Sequence, residues 1–321
     1  MKLRIGVDLG GTNIAVGIVD ESYNIIGRLS VPTPRTSADE VADKIACAVN
    51  ELLSAHGLTV DELDGLGVGA PGIVDADKGV VDYVCNLPMR YYPLAEAVSE
   101  RLDIGDAKRI RLENDASAAA LGEMLAGAGK GMRDFMLITL GTGVGGGIIS
   151  DGKLLPSFNH AGGELGHTVI VVDGESCACG RRGCAETYCS ASALARMGRE
   201  AAKSGKKTML TSTLTEAKAV FEAADKGDAV AASVLEAYFK YVAVMLANFI
   251  NIFQPEVIAI GGGVSGAGEK LLAPLNKLIF PDMIYNRNQP KSMYTRLLTA
   301  SLGGDAGIIG AAFLGTQTKE G

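Results

Sequence analysis

The run Cys177-Ala178-Cys179-Gly180-Arg181-Arg182-Gly183-Cys184 places three thiols one and four residues apart, with two glycines to let the chain turn between them. Thiolates at that spacing wrap a single tetrahedral ion, and Zn²⁺ is the ion that favours sulfur and nitrogen donors. A fourth donor is needed: Cys189 and His167 are both near in sequence, and residue type alone leaves the choice open. No His₂Glu-type open set accompanies the thiols, so the expected site is structural. Just upstream, Ala161-Gly162-Gly163 leads into Glu164-Leu165-Gly166-His167, a carboxylate and an imidazole on one glycine-rich turn. Such a pair suits vicinal hydroxyls, the glutamate accepting and the histidine donating.

Three other glycine turns follow apolar runs: Gly10-Gly11-Thr12-Asn13, Gly141-Thr142-Gly143, and Gly261-Gly262-Gly263-Val264-Ser265. Without a Cβ, backbone N–H groups approach an anion closely, and a neighbouring hydroxyl adds a donor. Gly10, Gly11, Thr12, Asn13, Thr142, Gly143, Gly262 and Gly263 are accordingly the candidate phosphate contacts. Asp8, just ahead of the first turn, is placed to orient Mg²⁺ or its water shell against such phosphates. The run from Gly141 to Gly146 also fits the dinucleotide fingerprint G-x-G-x-x-G, but that motif must open a helix, and Gly147-Ile148-Ile149 resumes strand patterning. There is no G-x-x-x-x-G-K-[ST], so a P-loop is not the phosphate device. Asn114-Asp115 ends another apolar run and opens an alanine-rich helix. Asp is a good helix N-cap, and a carboxylate at a strand end can also accept a hydroxyl proton while Asn114 fixes the substrate.

The elements that carry these residues are legible from periodicity. Residues 3–20 read as a β-hairpin, and so do 135–151; superposed, Leu9 falls on Leu140, Gly10 on Gly141 and Asp20 on Asp151, a candidate internal duplication. Between them lie a helix over 39–55, a strand over 63–72, a proline-marked loop over 85–93, a helix over 94–102, a strand over 109–112 and a helix over 116–126. Strands alternating with helices predict a largely parallel sheet. Cys47 falls inside the apolar pattern of the first helix and reads as core. Farther on, Val234, Tyr238, Val242, Met245, Phe249 and Phe253 form one helical stripe, read as core and not as a cofactor box. The last helix, 305–314, is expected to tether two lobes that face each other across a cleft.

Glycine accounts for 42 of the 321 residues, nearly twice the usual share of roughly 7%, and without the three-residue period of collagen. With 47% apolar residues there is material for two cores. A net charge of −7 and no basic run longer than two residues argue against nucleic acid or an anionic membrane as partner. Arg4 and Asp8 interrupt the apolar N-terminus too early for a signal peptide, so the expected location is the cytoplasm, where clustered cysteines bind metal more readily than they form disulfides.

Taken together, Asp8-Leu9-Gly10-Gly11-Thr12-Asn13, Glu164-Leu165-Gly166-His167 and the Cys-x-Cys-Gly-x-x-Gly-Cys-x-Glu run ending at Glu186 resemble the ROK family of repressors, open reading frames and kinases, over essentially the whole chain. The resemblance implies an α/β, two-lobed actin-like/sugar kinase/Hsp70 (ribonuclease H-like) fold, with residues 1–120 plus the terminal helix 303–321 as one lobe and 121–302, with the zinc segment, as the other. It implies ATP and Mg²⁺, a structural Zn²⁺, a homo-oligomer (dimer or tetramer), and phosphorylation of a hexose at its 6-hydroxyl. By motif position Asp115 is the base; Asn86, Asn114, Glu164, His167 and Glu186 hold the sugar; His167, Cys177, Cys179 and Cys184 hold the zinc, leaving Cys189 a bystander. The repressors of the family carry an added DNA-binding module, for which the first hairpin, starting at Leu3, leaves no room. Where relatives often have Pro-Asn-Leu-Pro-Gly-Trp, this chain has Cys85-Asn86-Leu87-Pro88-Met89-Arg90. Glucose is the first candidate substrate, with N-acetylmannosamine, fructose, mannose and allose as alternatives, and a non-enzymatic sugar-binding regulator as the alternative of another class.

Overall fold

Strand β1 (Leu3–Leu9) alternates: Ile5, Val7 and Leu9 share one face and are fully buried, while Arg4, Gly6 and Asp8 lie on the other. It turns into β2 (Asn13–Val19), which pairs antiparallel with the edge strand β3 (Ile25–Pro32). On its other side β1 runs parallel to β4 (Leu63–Ala70), and β4 parallel to β8 (Ile110–Asn114), giving the order β3-β2-β1-β4-β8. Helix α1 (Ala38–Ala55) packs on β2 and β3, its first turn capped by the Ser37 hydroxyl, which accepts the Glu40 N–H at 3.1 Å. Cys47 departs from expectation. It lies exposed on the outer side of α1 with Asp43 and Asn50, because the stripe of Val41, Ile45, Val49 and Leu52 turns it away from the sheet. A small antiparallel sheet, β5 (Ile73–Asp75), β6 (Val80–Tyr83) and β7 (Arg90–Tyr92), and helix α2 (Leu94–Arg101) complete this region. The computed structural model describes residues 2–84, 87–155, 157–280 and 289–316.

Helices α3 (Asp115–Ala126) and α9 (Asp305–Ala312) meet backbone to backbone. A Cβ on Gly122 would stand 2.1 Å from the Ala306 carbonyl oxygen, and one on Gly310 would stand 1.7 Å from that of Ala118. The face of the sheet receives α9 in the same way, with Gly6 against the Ile308 carbonyl and Gly67 against that of Ala311, each Cβ position 1.9 Å away. The terminal helix, expected as a tether between lobes, is thus a layer within the first of two compact units: Met1–Arg133, Gly147–Gly163 and Ser301–Gly321. The second unit is Asp134–Gly146 with Glu164–Ala300. The division expected at residue 120 would have cut α3; the first unit keeps that helix whole. It also keeps Gly147, whose missing Cβ would lie 2.5 Å from that of Ala120 in α3.

The second sheet repeats the first. Strand β9 (Phe135–Leu140) is central, parallel to β12 (Val257–Gly261), which is parallel to β13 (Arg296–Thr299). The hairpin strands β10 (Val144–Ser150) and β11 (Lys153–Leu154) are antiparallel to each other, and the order β11-β10-β9-β12-β13 matches the first sheet strand for strand. The duplication legible in two hairpins therefore extends through both sheets. Helices α4 (Glu186–Cys189), α5 (Ala191–Ala202), α6 (Lys218–Asp225), α7 (Ala229–Phe253) and α8 (Glu269–Ile279) belong to the second unit, with α7 packed on α5, α6 and α8. Asp228 caps α7 and also accepts the Met209 N–H and the Thr208 hydroxyl, which together hold its carboxyl down at about 2. The stripe from Val234 to Phe249 is buried as expected, whereas Phe253, at the end of the helix, is only half-buried. Among the described residues α7 alone has the length and apolarity of a membrane span, but half of that stretch is buried inside the unit.

The close approach of α9 makes a specific prediction. Gly67→Ala should cost about 3 kcal/mol or more in denaturant unfolding, since neither backbone can yield. Gly65→Ala, two residues earlier in the same strand with nothing within 4 Å of the added carbon, should change stability by under about 0.5 kcal/mol. Equal losses at the two positions would show that the contact with α9 is not what selects glycine.

Candidate functional site

In the first unit the chemistry gathers at the C-terminal ends of β1 and β8. Asp8 is next to last in β1, and Asp115 is the first residue of α3, directly after β8. The cap of that helix is Asn114 and not the aspartate: its Oδ1 accepts the N–H groups of Ala116 at 3.0 Å and Ser117 at 3.2 Å, while its Nδ2 donates to the Gly72 carbonyl at 3.0 Å. Capping thus falls to Asn114, and the Asp115 carboxylate accepts the Ala116 N–H at 2.8 Å. Burial raises the pKa of Asp115 above the usual carboxylate range. Asp8 is raised from 3.8 to about 6, first by burial and then by the charge of Asp115. The missing side chain of Gly307 is what lets α9 pass so near, since a Cβ there would stand 2.7 Å from the Asp8 carboxyl carbon. A carboxyl group raised toward neutrality is suited to proton transfer.

The turn after β1 is closed by Gly10 N–H to the Asn13 carbonyl at 3.0 Å. Its other carbonyls are taken from outside, Gly10 by the Thr33 hydroxyl, Gly11 by Arg35 and Thr12 by the Thr33 N–H. Among the described residues no protein acceptor takes the N–H of Gly11 or Thr12. The equivalent turn of the second unit, Gly141-Thr142-Gly143, is closed by Gly141 N–H to the Gly143 carbonyl at 3.0 Å, and its Thr142 and Gly143 N–H groups are likewise without a protein acceptor there. It enters a strand and not a helix, which removes the dinucleotide reading. Backbone donors held ready at a strand end fit an anionic ligand such as a polyphosphate. At the third turn Gly262, at φ +78°, fits against the Leu140 backbone, 2.6 Å from where its Cβ would be, while Gly263 has open space around it.

In the second unit the structure brings together His167, Cys177, Cys179 and Cys184, whose donor atoms all lie within 4.8 Å of one another. His167 Nδ1 is 3.6 Å from the Cys177 sulfur, and the sulfurs of Cys179 and Cys184 are 3.6 Å apart. Bonds of about 2.3 Å from one tetrahedral centre place sulfurs about 3.8 Å apart, so the donors fit Zn²⁺ in type and spacing. Cys189 stands outside this set, fully buried, its thiol pushed up by burial. His167 Nε2 faces the other way, 3.9 Å from a carboxylate oxygen of Glu164. Glu186, at the start of α4, accepts the Val144 N–H at 3.1 Å beside the glycine turn, where a Cβ on Gly143 would collide with it. Asn86 lies outside the described residues.

One cluster escaped the sequence reading. His160 Nε2 is 3.3 Å from Asp75, a carboxylate only 5% exposed, and Glu113 lies within electrostatic reach of the same imidazole. The available signal was scarcity: two of the three histidines in the chain fall in one eight-residue stretch around Glu164.

Residues 4–318 match the ROK family profile. A glucokinase of Halalkalibacterium halodurans is 39% identical over 98% of this chain and 95% of its own length, and one of Thermotoga maritima is 37% identical over 97% and 96%. Among solved structures, a ROK family glucokinase from Streptomyces griseus in complex with glucose and AMPPNP superposes with a TM-score of 0.80 at 37% identity, covering 98% of this chain and all of that one.

The raised carboxyl of Asp8 predicts a stability profile. Its proton is bound more tightly in the folded protein than in the unfolded chain, so it favours folding below about pH 4, and that contribution is lost as pH rises through 6. Asp8→Asn should therefore unfold at higher denaturant than the wild type above pH 7, by up to about 3 kcal/mol, and match it near pH 3.5. A variant less stable at neutral pH would mean that Asp8 is not held against its preferred charge.

Proposed function

Because the chain belongs to the ROK family, we propose that it is an ATP-dependent hexose kinase with glucose as substrate, transferring phosphate to the 6-hydroxyl. The observation that carries the reading is Asp115: a partly buried carboxylate of raised pKa, relieved of capping by Asn114 and neighboured by a second carboxylate, Asp8. In this reading Asp115 accepts the proton of the sugar hydroxyl as its oxygen bonds to the γ-phosphorus of ATP and the bond from that phosphorus to the bridging oxygen breaks, releasing ADP. The unclaimed N–H groups of Gly11, Thr12, Thr142 and Gly143 bind phosphate oxygens, with Gly262 and Gly263 on the nucleotide. Mg²⁺, when bound near Asp8, supplies charge neutralisation for the transferred group.

Asn86, Asn114, Glu164, His167 and Glu186 hold the sugar hydroxyls. His167 serves twice. With Nδ1 turned to the three thiols and Nε2 toward Glu164, the imidazole gives one nitrogen to a zinc site with Cys177, Cys179 and Cys184 and keeps the other for a hydroxyl. A zinc ion held there would fix the tautomer and orientation of the His167 ring and would take no part in the phosphoryl transfer.

Two experiments test this. Assayed with ATP against glucose, N-acetylmannosamine, fructose, mannose and allose, the protein should show its highest kcat/KM for glucose, and Asp115→Asn should lower kcat by about 10²–10⁴-fold with the fold intact. Absence of turnover with every hexose would leave a sugar-binding regulator. On the metal, Cys189→Ala should keep one zinc per chain and near-normal activity, whereas His167→Ala should lose zinc and raise the sugar KM together. Zinc lost from the first variant and kept by the second would reverse the ligand assignment.

A further inference from the structure

His160 has no role in the reading above, yet its surroundings are unlike those of an ordinary loop histidine. Its backbone sits at φ +59°, the left-handed region that a non-glycine side chain enters at some cost. Its ring is three-quarters buried and has two carboxylates against it, with a third within electrostatic reach. Asp75, at the end of β5, is 3.3 Å away, Asp77 in the following turn is 3.8 Å away, and Glu113, at the end of β8, feels its charge. The one ammonium in the group, Lys78, is spent on the other oxygen of Asp75 at 2.7 Å.

One of these neighbours, Glu113, is bonded directly to a residue placed at the sugar. Glu113 accepts the Asn114 N–H at 2.9 Å, and Asn114 in turn donates to the carbonyl of Gly72, just ahead of β5. The cap beside Asp115 is therefore joined to His160 by the bond from Asn114 to Gly72, the backbone of β5 that follows, and the Asp75 carboxylate at its end. Two glycines, the second at φ +83°, then lead the chain to Glu164. A stretch as pliant as Gly162-Gly163 cannot by itself fix where Glu164 begins. The nearest residue before it with a side-chain tie to a strand is His160.

We propose that His160 is a positioning residue for the sugar: anchored on Asp75 and flanked by Glu113, its imidazole holds the segment that delivers Glu164, and so sets sugar affinity without taking part in phosphoryl transfer. The proposal rests on the hexose-kinase reading. It is separate from the zinc site, because its anchors are Asp75 and Glu113 and not the thiols.

The test is a comparison of His160→Asn and His160→Gln with the wild type. Asparagine accepts the left-handed backbone but is too short to reach Asp75, whereas the glutamine amide can stand where Nε2 stands. His160→Asn should raise the glucose KM on the order of tenfold while kcat and the ATP KM stay within about twofold, and His160→Gln should recover most of the lost affinity. Thermal unfolding of both variants shows whether the fold is kept. A glucose KM unchanged in His160→Asn overturns the proposal, and so does a parallel fall in kcat, or a glutamine variant no better than asparagine. A wild type inert toward every hexose removes the functional reading, and this proposal with it; an active wild type with an unaltered variant removes the proposal alone.

Discussion

Four backbones meet at α9 with no side chains between them. Glycine at positions 6, 67, 122 and 310 lets one short helix lie directly on β1, β4 and α3, at distances no Cβ could survive. That contact sets the position of α3 relative to β1, and therefore of Asp115 relative to Asp8. Gly307 of the same helix lies against the Asp8 carboxyl, and burial is the main reason that both carboxyls are raised. The electrostatics of this region thus follows from a packing constraint carried by residues with no side chain.

The protein places other carboxylates differently. Glu123 is fully buried in α3 but accepts the N–H groups of Ala128 at 2.8 Å and Leu302 at 2.7 Å and the Ser301 hydroxyl, pinning two loops. Asp228 is held down by four donors at the start of α7. Those groups stabilise structure because their charge is answered. Asp8 and Asp115 are not answered in this way, a cost to stability that proteins commonly accept where a group must react.

In the second unit a comparable division of labour falls on His167 and Glu186. The thiol cluster and the Glu164 carboxylate face opposite nitrogens of one ring, so a single side chain links the cysteine segment to the carboxylate ahead of it. Glu186, at the end of the cysteine segment, accepts from Val144 and fills the space that Gly143 leaves, so the cysteine segment and the glycine turn share an anchor.

The sequence alone determined what depends on short separations. Thiols at 177, 179 and 184 needed only two turns to converge, glycine turns declared themselves by flexibility, and the duplicated hairpins by matching residues. The family resemblance supplied His167 as the fourth member of the cluster. Tertiary structure decided what depends on which face an element presents and on what arrives from far along the chain. Cys47 belongs to an apolar-looking helix but falls on its outer stripe, and only the sheet beneath α1 fixes which stripe is inner. Capping passed from Asp115 to Asn114 because α3 starts one residue earlier than expected, at Asp115 and not at 116, which moves the cap position back onto Asn114. Asp75 and His160 meet only because β5 and the segment before Glu164 fold onto the same strand ends, and glycines 6 and 67 read as loose strand positions until α9 is seen lying on them. Local spacing is written in the chain because bonded geometry limits it; burial and long-range pairing are not, because they depend on the whole packed arrangement at once.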